Sequence, residues 1–144
     1  MLESIIALAA FIPVIIGMGG NIGTQSSTII VRGMATGRIE VGNELRILIK
    51  ELRVGLILGV LYGVMLGLFA NLRFMDTDPM LGLVVGLSIT FSMLIAVAVG
   101  SFTPLILRKL DIDPAVATGP FVTTSIDILG VLLYFVIAGL LLNI

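Results

Sequence analysis

Asp127 is a lone acid within a long apolar stretch that runs from Pro114 to Leu142. A helix over these residues would be about 40 Å long at ~1.5 Å per residue, which places Asp127 close to the midplane of a ~30 Å hydrocarbon layer. A carboxylate at that depth must be protonated, paired, or turned to a wet cavity that cations visit. No Lys, Arg or His of the chain lies at the same depth. The position therefore predicts a functional acid.

The residues around Asp127 supply further oxygen atoms. Steps of three and four residues place one stripe on this helix, made of Pro120, Thr123, Asp127, Gly130 and Tyr134. Pro120 has no backbone N–H, so carbonyl oxygens of the preceding turn are left free. These carbonyl oxygens, the hydroxyl or carbonyl oxygen of Thr123 and the Asp127 carboxylate would form a row of oxygen ligands along the helix. Such a row is typical of a cation path within a membrane. The alternative is a protonated Asp127 that hydrogen-bonds a neighbouring helix.

The type of cation and the number of chains follow from the ligands. The chain has no Cys and no His, which excludes thiolate and imidazole metal sites, disulfides and His-based catalysis. Oxygen ligands favour hard cations such as Mg²⁺, Ca²⁺ or Mn²⁺. One carboxylate is few for a divalent ion. A two-fold homodimer with this helix near its axis would bring two copies of Asp127 together around an ion that keeps its water.

The composition predicts an integral membrane protein. Of the 144 residues, 58% are hydrophobic and 12% charged, with mean hydropathy +1.23. We expect an all-α, polytopic transmembrane bundle that forms a single ion-conducting domain over 1–144, with no soluble regulatory domain in this range. Four apolar runs are long enough to cross a bilayer, at about 2–31, 54–70, 80–107 and 114–142.

Charge predicts the orientation of the chain. Seven of the eight basic residues fall in the loops 32–53 and 108–113. By the positive-inside rule, both loops are cytoplasmic and the C-terminus is extracytoplasmic, in a multi-pass protein of the cell membrane. Leu45, Leu48 and Leu52 recur at helical spacing, with Glu51 among the charged residues assigned to the other faces. This pattern predicts a short amphipathic helix at the membrane surface, in contact with lipid headgroups.

Glycines predict close helix contacts. The second span has them at strict four-residue intervals, and the third opens with Gly82-x-x-x-Gly86. The first span contains GMGGNIGTQSST, a glycine-rich and polar segment at membrane depth. Its amides, from Asn21 and Gln25, need partners in protein or water, because lipid offers none.

Two segments together resemble a known family. IPVIIGMGGNIGTQSSTIIVRGMATG in the first span and DPAVATGPFVTTSIDILGVLLYF in the fourth are similar to the transmembrane domain of the MgtE family of magnesium channels or transporters, at its second to fifth membrane helices. The resemblance implies a homodimer whose pore lies at the subunit interface, lined by the first and fourth spans. It also implies that Asp127 binds hydrated Mg²⁺ and that the backbone carbonyl of Thr123 contacts the waters of the ion.

The same resemblance extends to the first span, where Gly19, Gly20, Asn21 and Gln25 match the family motif. Some family members have Asn at the position of Gly119. Because Gly has no side chain, no side-chain gate is expected at this position in the present chain. The full set of residues expected to line the pore is Asn21, Gly20, Gly19, Gln25, Pro120, Gly119 and Thr124.

Three functions remain open. The first is a homodimeric Mg²⁺-selective channel driven by the ion gradient and the membrane potential. The second is a secondary transporter that couples Mg²⁺ or another divalent cation to H⁺ or Na⁺, with Asp127 changing protonation. The third is a structural membrane anchor whose activity resides in a lost soluble region. An enzyme is not expected, because no nucleophile–base pair, phosphate-binding loop or catalytic metal-ligand set is visible.

Overall fold

The computed structural model of the chain describes residues 2–39, 42–74 and 78–142, with the side chains of residues 2–5 and 116–118 excepted. These residues contain four long helices and no strand, which confirms the all-α prediction. All four helices are long and apolar enough to cross a membrane. Their bounds are α1 Leu2–Ala35, α2 Glu44–Arg73, α3 Leu81–Lys109 and α4 Pro114–Leu142.

The helix α2 begins earlier than the sequence predicted. The separate amphipathic helix does not form, because residues 44–53 are the first turns of α2. Leu48 and Glu51 are buried on the same face as the glycines that follow, Gly55 and Gly59. One face of the helix is thus continuous from the charged segment into the span. The spacing of the Leu residues correctly predicted a helix in this segment. Which face of that helix is buried depends on the neighbouring helices.

The helix α3 occupies the centre of the bundle. It packs against α1, α2 and α4, and α1 also packs against α4. Its buried residues occur on several faces, including Val84, Ile89, Ala96 and Val97, as expected for a helix that is enclosed by others. The remaining helices place large apolar side chains outward, where a membrane would meet them.

Glycines bring the backbones of α2 and α3 together. A Cβ added at Gly59 would lie 2.9 Å from the carbonyl oxygen of Thr90, and one at Gly67 would lie 2.7 Å from that of Gly82. The Thr90 hydroxyl donates to the Gly59 carbonyl oxygen at 3.0 Å. The predicted close packing is confirmed, since a larger residue on either helix would separate the two backbones.

A glycine pair also marks the crossing of α1 and α3. A Cβ on Gly100 would collide with the backbone of Gly23. At one end of the bundle, the loop after α1 is fixed by Ile39, which is buried against Gly33 and whose carbonyl oxygen accepts from Arg108 Nη1 at 3.2 Å. The ends of α1 and α3 are therefore tied by both an apolar and a polar contact.

The start of α4 follows the capping pattern. Asp113 Oδ1 accepts from the backbone N–H of Ala115 at 2.9 Å, and Pro114 is the first helical residue. Proline inside the helices does not end them: α3 continues past Pro104 to Lys109, and α4 continues past Pro120.

We expect Gly63→Ala to destabilise the bundle by roughly 1–3 kcal/mol, because the new methyl group would overpack a tight contact. A Cβ at Gly63 would lie 2.6 Å from the carbonyl oxygen of Gly86. The measurement is the unfolding midpoint of the purified protein in detergent. Gly17→Ala is the matched control, because nothing lies within 4 Å of a Cβ at Gly17. Equal midpoints for the two variants would contradict the role assigned to the α2–α3 contact.

Candidate cation site

Asp127 lies at the edge of the buried face of α4. The buried positions of this face recur every four residues, at Val122, Ile126, Gly130, Tyr134 and Ala138, while Asp127 itself is half-buried. Its carboxyl group is thus accessible from one side of the bundle. The side-chain hydrogen bonds of α4 among the described residues come from Thr123 and Tyr134, and Asp127 makes none of them.

The stripe predicted around Asp127 is confirmed as a helical stripe, but its exposure changes along the helix. Tyr134 and Gly130 are buried, Asp127 and Thr123 are half-buried, and Pro120 is exposed. The stripe therefore leaves the bundle interior in the direction of the α4 N-terminus. Only its Pro120–Asp127 part can face a path outside the chain.

Glycines of α1 create the space beside Asp127. A Cβ on Gly20 would lie 3.9 Å from Asp127 Oδ1, so this carboxylate oxygen faces the backbone of α1. On either side of this point, α1 packs against Ile126: a Cβ at Gly19 would be 3.1 Å from Ile126 Cγ2, and one at Gly23 would collide with Ile126 Cδ1. Two of the residues predicted to line the pore, Gly19 and Gly20, thus lie next to the Asp127 segment. Gly19 is buried and Gly20 is half-buried.

A buried hydrogen bond fixes the rotation of α4 against α1. Tyr134 Oη donates to the carbonyl oxygen of Leu8 at 2.8 Å. Tyr134 follows Asp127 by two helical turns and projects on nearly the same side. The bond therefore keeps the Asp127 side of α4 turned to α1.

The hydroxyl group of Thr123 donates its proton within α4, and its oxygen lone pairs are left for other contacts. Its hydroxyl donates to the carbonyl oxygens of Gly119, at 3.2 Å, and Pro120, at 3.1 Å. The hydroxyl proton is thus used within α4, so a contact to a cation or its water would come from an oxygen lone pair of the side chain or the backbone. Thr124, Pro120 and Gly119 are exposed, and nothing lies within 4 Å of a Cβ at Gly119.

The amides of α1 lie on another side of the helix. Asn21 and Gln25 are exposed and border a cavity of about 330 Å³, together with Leu58 and Tyr62 of α2 and Met93 of α3. Within one chain, the residues predicted to line the pore thus form two groups, one beside Asp127 and one at the α1–α2 groove.

The sequence analysis did not single out Thr24, and its assignment of Glu51 to the polar side of a surface helix was wrong. Thr24 is half-buried one turn from Gly20, and its hydroxyl donates to the Gly20 carbonyl oxygen at 2.8 Å. Glu51 is buried and accepts a hydrogen bond from Ser26 Oγ at 3.1 Å. A signal existed for each: Thr24 follows Gly20 by four residues, and Glu51 precedes Gly55 by four.

Asp127 belongs to no cluster of metal-ligating side chains among the described residues. This part of the chain contains no group of three or more Asp, Glu, His or Cys side chains able to hold a metal ion. One protomer therefore offers a single half-buried carboxylate between α1 and α4, where Asp127 faces Gly20. We call this place the Asp127 groove. Such a site suits a cation that keeps part of its hydration shell, because water can complete the coordination.

Comparisons with known proteins identify the family. The family model described as "MgtE: Divalent cation transporter" matches residues 12–137. The chain is 39% identical over 143 residues to the magnesium transporter MgtE of Thermus thermophilus, covering 99% of this chain and 31% of that protein. It is 36% identical over 137 residues to the magnesium transporter MgtE of Bacillus subtilis, covering 95% of this chain and 30% of the relative.

A third relative, the magnesium transporter MgtE of Enterococcus faecalis, is 36% identical over 136 residues, which are 94% of this chain and 30% of that protein. The chain thus spans about three tenths of the length of these curated relatives. The family model covers most of the chain, including both the glycine motif of α1 and the Asp127 segment of α4. This chain belongs to the MgtE family of divalent cation transporters.

Proposed function

We propose that the chain forms a homodimeric Mg²⁺ channel with the pore at the subunit interface. A hydrated Mg²⁺ is bound between the Asp127 carboxylates of the two protomers, and the Thr123 backbone carbonyls contact its waters. The observation that carries the proposal is the half-buried Asp127 carboxylate beside Gly20, within a helix that is long and apolar enough to cross a membrane. Such an acid, which makes no side-chain hydrogen bond to the described residues, is costly in a membrane unless a cation or proton compensates it.

The need for a second chain follows from charge. One carboxylate neutralises half of a dication, and two related by a two-fold axis neutralise all of it. Mg²⁺ dehydrates reluctantly and is commonly held through its waters by one or two carboxylates. Two Asp127 side chains with a water layer on each side would then stand about 10 Å apart. The names of the relatives, all magnesium transporters, support Mg²⁺ as the transported ion.

The pore would be lined by α1 and α4 of both chains. In this arrangement Gly19 and Gly20 keep side chains away from Asp127, while Gly119, Pro120 and Thr124 lie toward the end of α4 that carries basic neighbours. Within one chain, Asn21 and Gln25 border the groove between α1 and α2. In the proposed dimer, their side chains would face the pore where the two subunits meet. The loops 32–53 and 108–113 would be cytoplasmic and the C-terminus extracytoplasmic, since Arg32, Arg108 and Lys109 lie in the last turns of α1 and α3.

Two other functions are testable against this one. A transporter that couples Mg²⁺ to H⁺ or Na⁺ would use the same acid, with protonation changing during the cycle. A structural membrane anchor would require no ion at Asp127. The channel is favoured because the Asp127 groove lies on the accessible side of the chain, where a continuous passage between two subunits can form.

We expect Asp127→Asn to lower the initial rate of Mg²⁺ uptake into proteoliposomes at least about tenfold, which corresponds to about 1.4 kcal/mol or more. Asp127→Glu retains the charge and is expected to retain part of the uptake. Asp111→Asn is the matched control, because Asp111 lies in an exposed turn with φ 56°, a conformation that Asn also tolerates. Uptake at the wild-type rate by folded Asp127→Asn would contradict the Asp127 site. Uptake no faster than in protein-free liposomes for both proteins would favour the membrane anchor.

The homodimer is tested by cross-linking, for which the chain offers a background without cysteine. We expect Asp127→Cys protomers in membranes to be joined by a bifunctional thiol reagent with a span of about 10 Å, the separation argued above. Leu132→Cys is the control, because Leu132 is an exposed apolar residue of α4 outside the Asp127 stripe. Equal yields of dimer from the two variants would contradict a pore centred on Asp127.

Current measurements separate the channel from the coupled transporter. We expect purified protein in a planar bilayer to carry Mg²⁺ current under voltage with identical H⁺ and Na⁺ concentrations on both sides, because a channel needs no counter-ion gradient. Asp127→Asn should reduce this current along with the uptake. Uptake that occurs only with an H⁺ or Na⁺ gradient, and without current in its absence, would establish coupling instead.

A further inference from the structure

Glu51 is a second acid inside the bundle, at a place that the cation site does not use. Its exposed fraction is 7%, and it lies on the face of α2 that also buries Leu48 and Gly55. Burying a carboxyl group in the interior of an apolar bundle is costly unless it is hydrogen-bonded. The buried position of the Glu51 carboxyl group therefore indicates a hydrogen-bond partner and a role in the structure.

The partner is Ser26 of α1. Ser26 Oγ donates to Glu51 Oε2 at 3.1 Å, and Ser26 is 3% exposed. This side-chain hydrogen bond connects two different helices, α1 and α2. Because both groups are shielded from water, the bond has no competing solvent partner.

The position of this bond relates it to Asp127. Ser26 lies six residues after Gly20, and therefore about 9 Å farther along α1. The Tyr134–Leu8 bond restrains α1 near its N-terminal end. Nearer to Asp127, the contacts of α1 involve Gly19 and Gly23, which permit close approach but supply no directional hydrogen bond. A buried hydrogen bond is directional, and buried polar pairs can fix the register between helices. The Ser26–Glu51 bond supplies such a restraint, from a position about 120° around α1 from Gly20.

We infer that Glu51 is a positioning residue for cation permeation. By holding Ser26, Glu51 fixes the rotation and axial position of α1, and with them the placement of Gly20 beside Asp127. The permeation part of this inference rests on the proposed function, whereas the structural part concerns only the distance between α1 and α4. Among the described residues, the side-chain hydrogen bond of Glu51 goes to Ser26 and not to Asp127 or a residue expected to line the pore, so Glu51 acts through α1.

The structural part is tested by disulfide formation between Gly20→Cys and Asp127→Cys in the cysteine-free chain. A Cβ at Gly20 would lie 3.9 Å from Asp127 Oδ1, so the two Cys side chains occupy neighbouring positions and we expect them to form a disulfide under oxidation. We expect Glu51→Ala and Ser26→Ala each to slow the reaction about threefold or more, because α1 loses its restraint. Glu51→Gln keeps an acceptor oxygen for Ser26 and should leave the rate within about twofold. Glu44→Ala, an acid of the same helix outside this contact, is the control.

The permeation part is tested by Mg²⁺ uptake in the same variants with Gly20 and Asp127 intact. We expect Glu51→Ala and Ser26→Ala to lower the initial rate about threefold to tenfold, the double variant to be no slower than the slower single variant, and Glu51→Gln to remain near wild type. Size-exclusion profiles identify variants that misfold, and the milder Ser26→Ala keeps the test available if Glu51→Ala is lost.

The possible results lead to different conclusions. Unchanged disulfide formation in folded Glu51→Ala, or Glu51→Gln as slow as Glu51→Ala, overturns the positioning role of the Ser26 bond. Slower disulfide formation with normal uptake overturns its link to permeation. Failure of the proposed function appears separately, as uptake that does not depend on Asp127, and leaves the disulfide result unaffected.

Discussion

Close approach of helix backbones is the condition on which this bundle depends. In lipid, apolar side chains gain little by leaving an apolar solvent, so packing and interhelical hydrogen bonds must hold the helices together. The central helix α3 satisfies this condition twice, through Gly82 and Gly86 against α2 and through Gly100 against α1. With α3 in place, α1 and α4 are set side by side, and the Asp127 carboxyl comes to face the backbone of Gly20.

Asp127 and Glu51, two acids with different surroundings in the bundle, show how environment separates roles. Asp127 is half-buried and makes no side-chain hydrogen bond among the described residues of α4, so its charge is available to an ion. Glu51 is enclosed and bonded to Ser26, so its carboxyl group is committed to the contact between helices. The same chemical group therefore serves as a candidate ligand in one helix and as a structural acceptor in another. Access, more than depth alone, distinguishes the two.

Much of the fold was predictable, because apolar runs of spanning length leave few alternatives to helices. The glycine spacing correctly predicted close contacts, and the place of Asp127 within a long helix followed from the uninterrupted apolar stretch around it. Partner choice was not predictable: neighbours such as Gly20 and Asn21 differ by about 100° around the helix axis, and only the packing shows that Gly20 is the one beside Asp127. Glu51 was assigned to a surface helix, because a charged segment before a span resembles an interfacial one until the buried face is known.

The Asp127 groove combines the first and last helices of the chain, and the bond from Tyr134 to Leu8 joins residues 126 positions apart. During synthesis, α1 leaves the ribosome long before α4 exists. The groove is therefore completed last, after α2 and α3 have entered the lipid and the final helix has docked. An unfinished chain that ends before α4 has Gly20 but no acid opposite it, so the pairing of Gly20 with Asp127 cannot form before the final helix has been made.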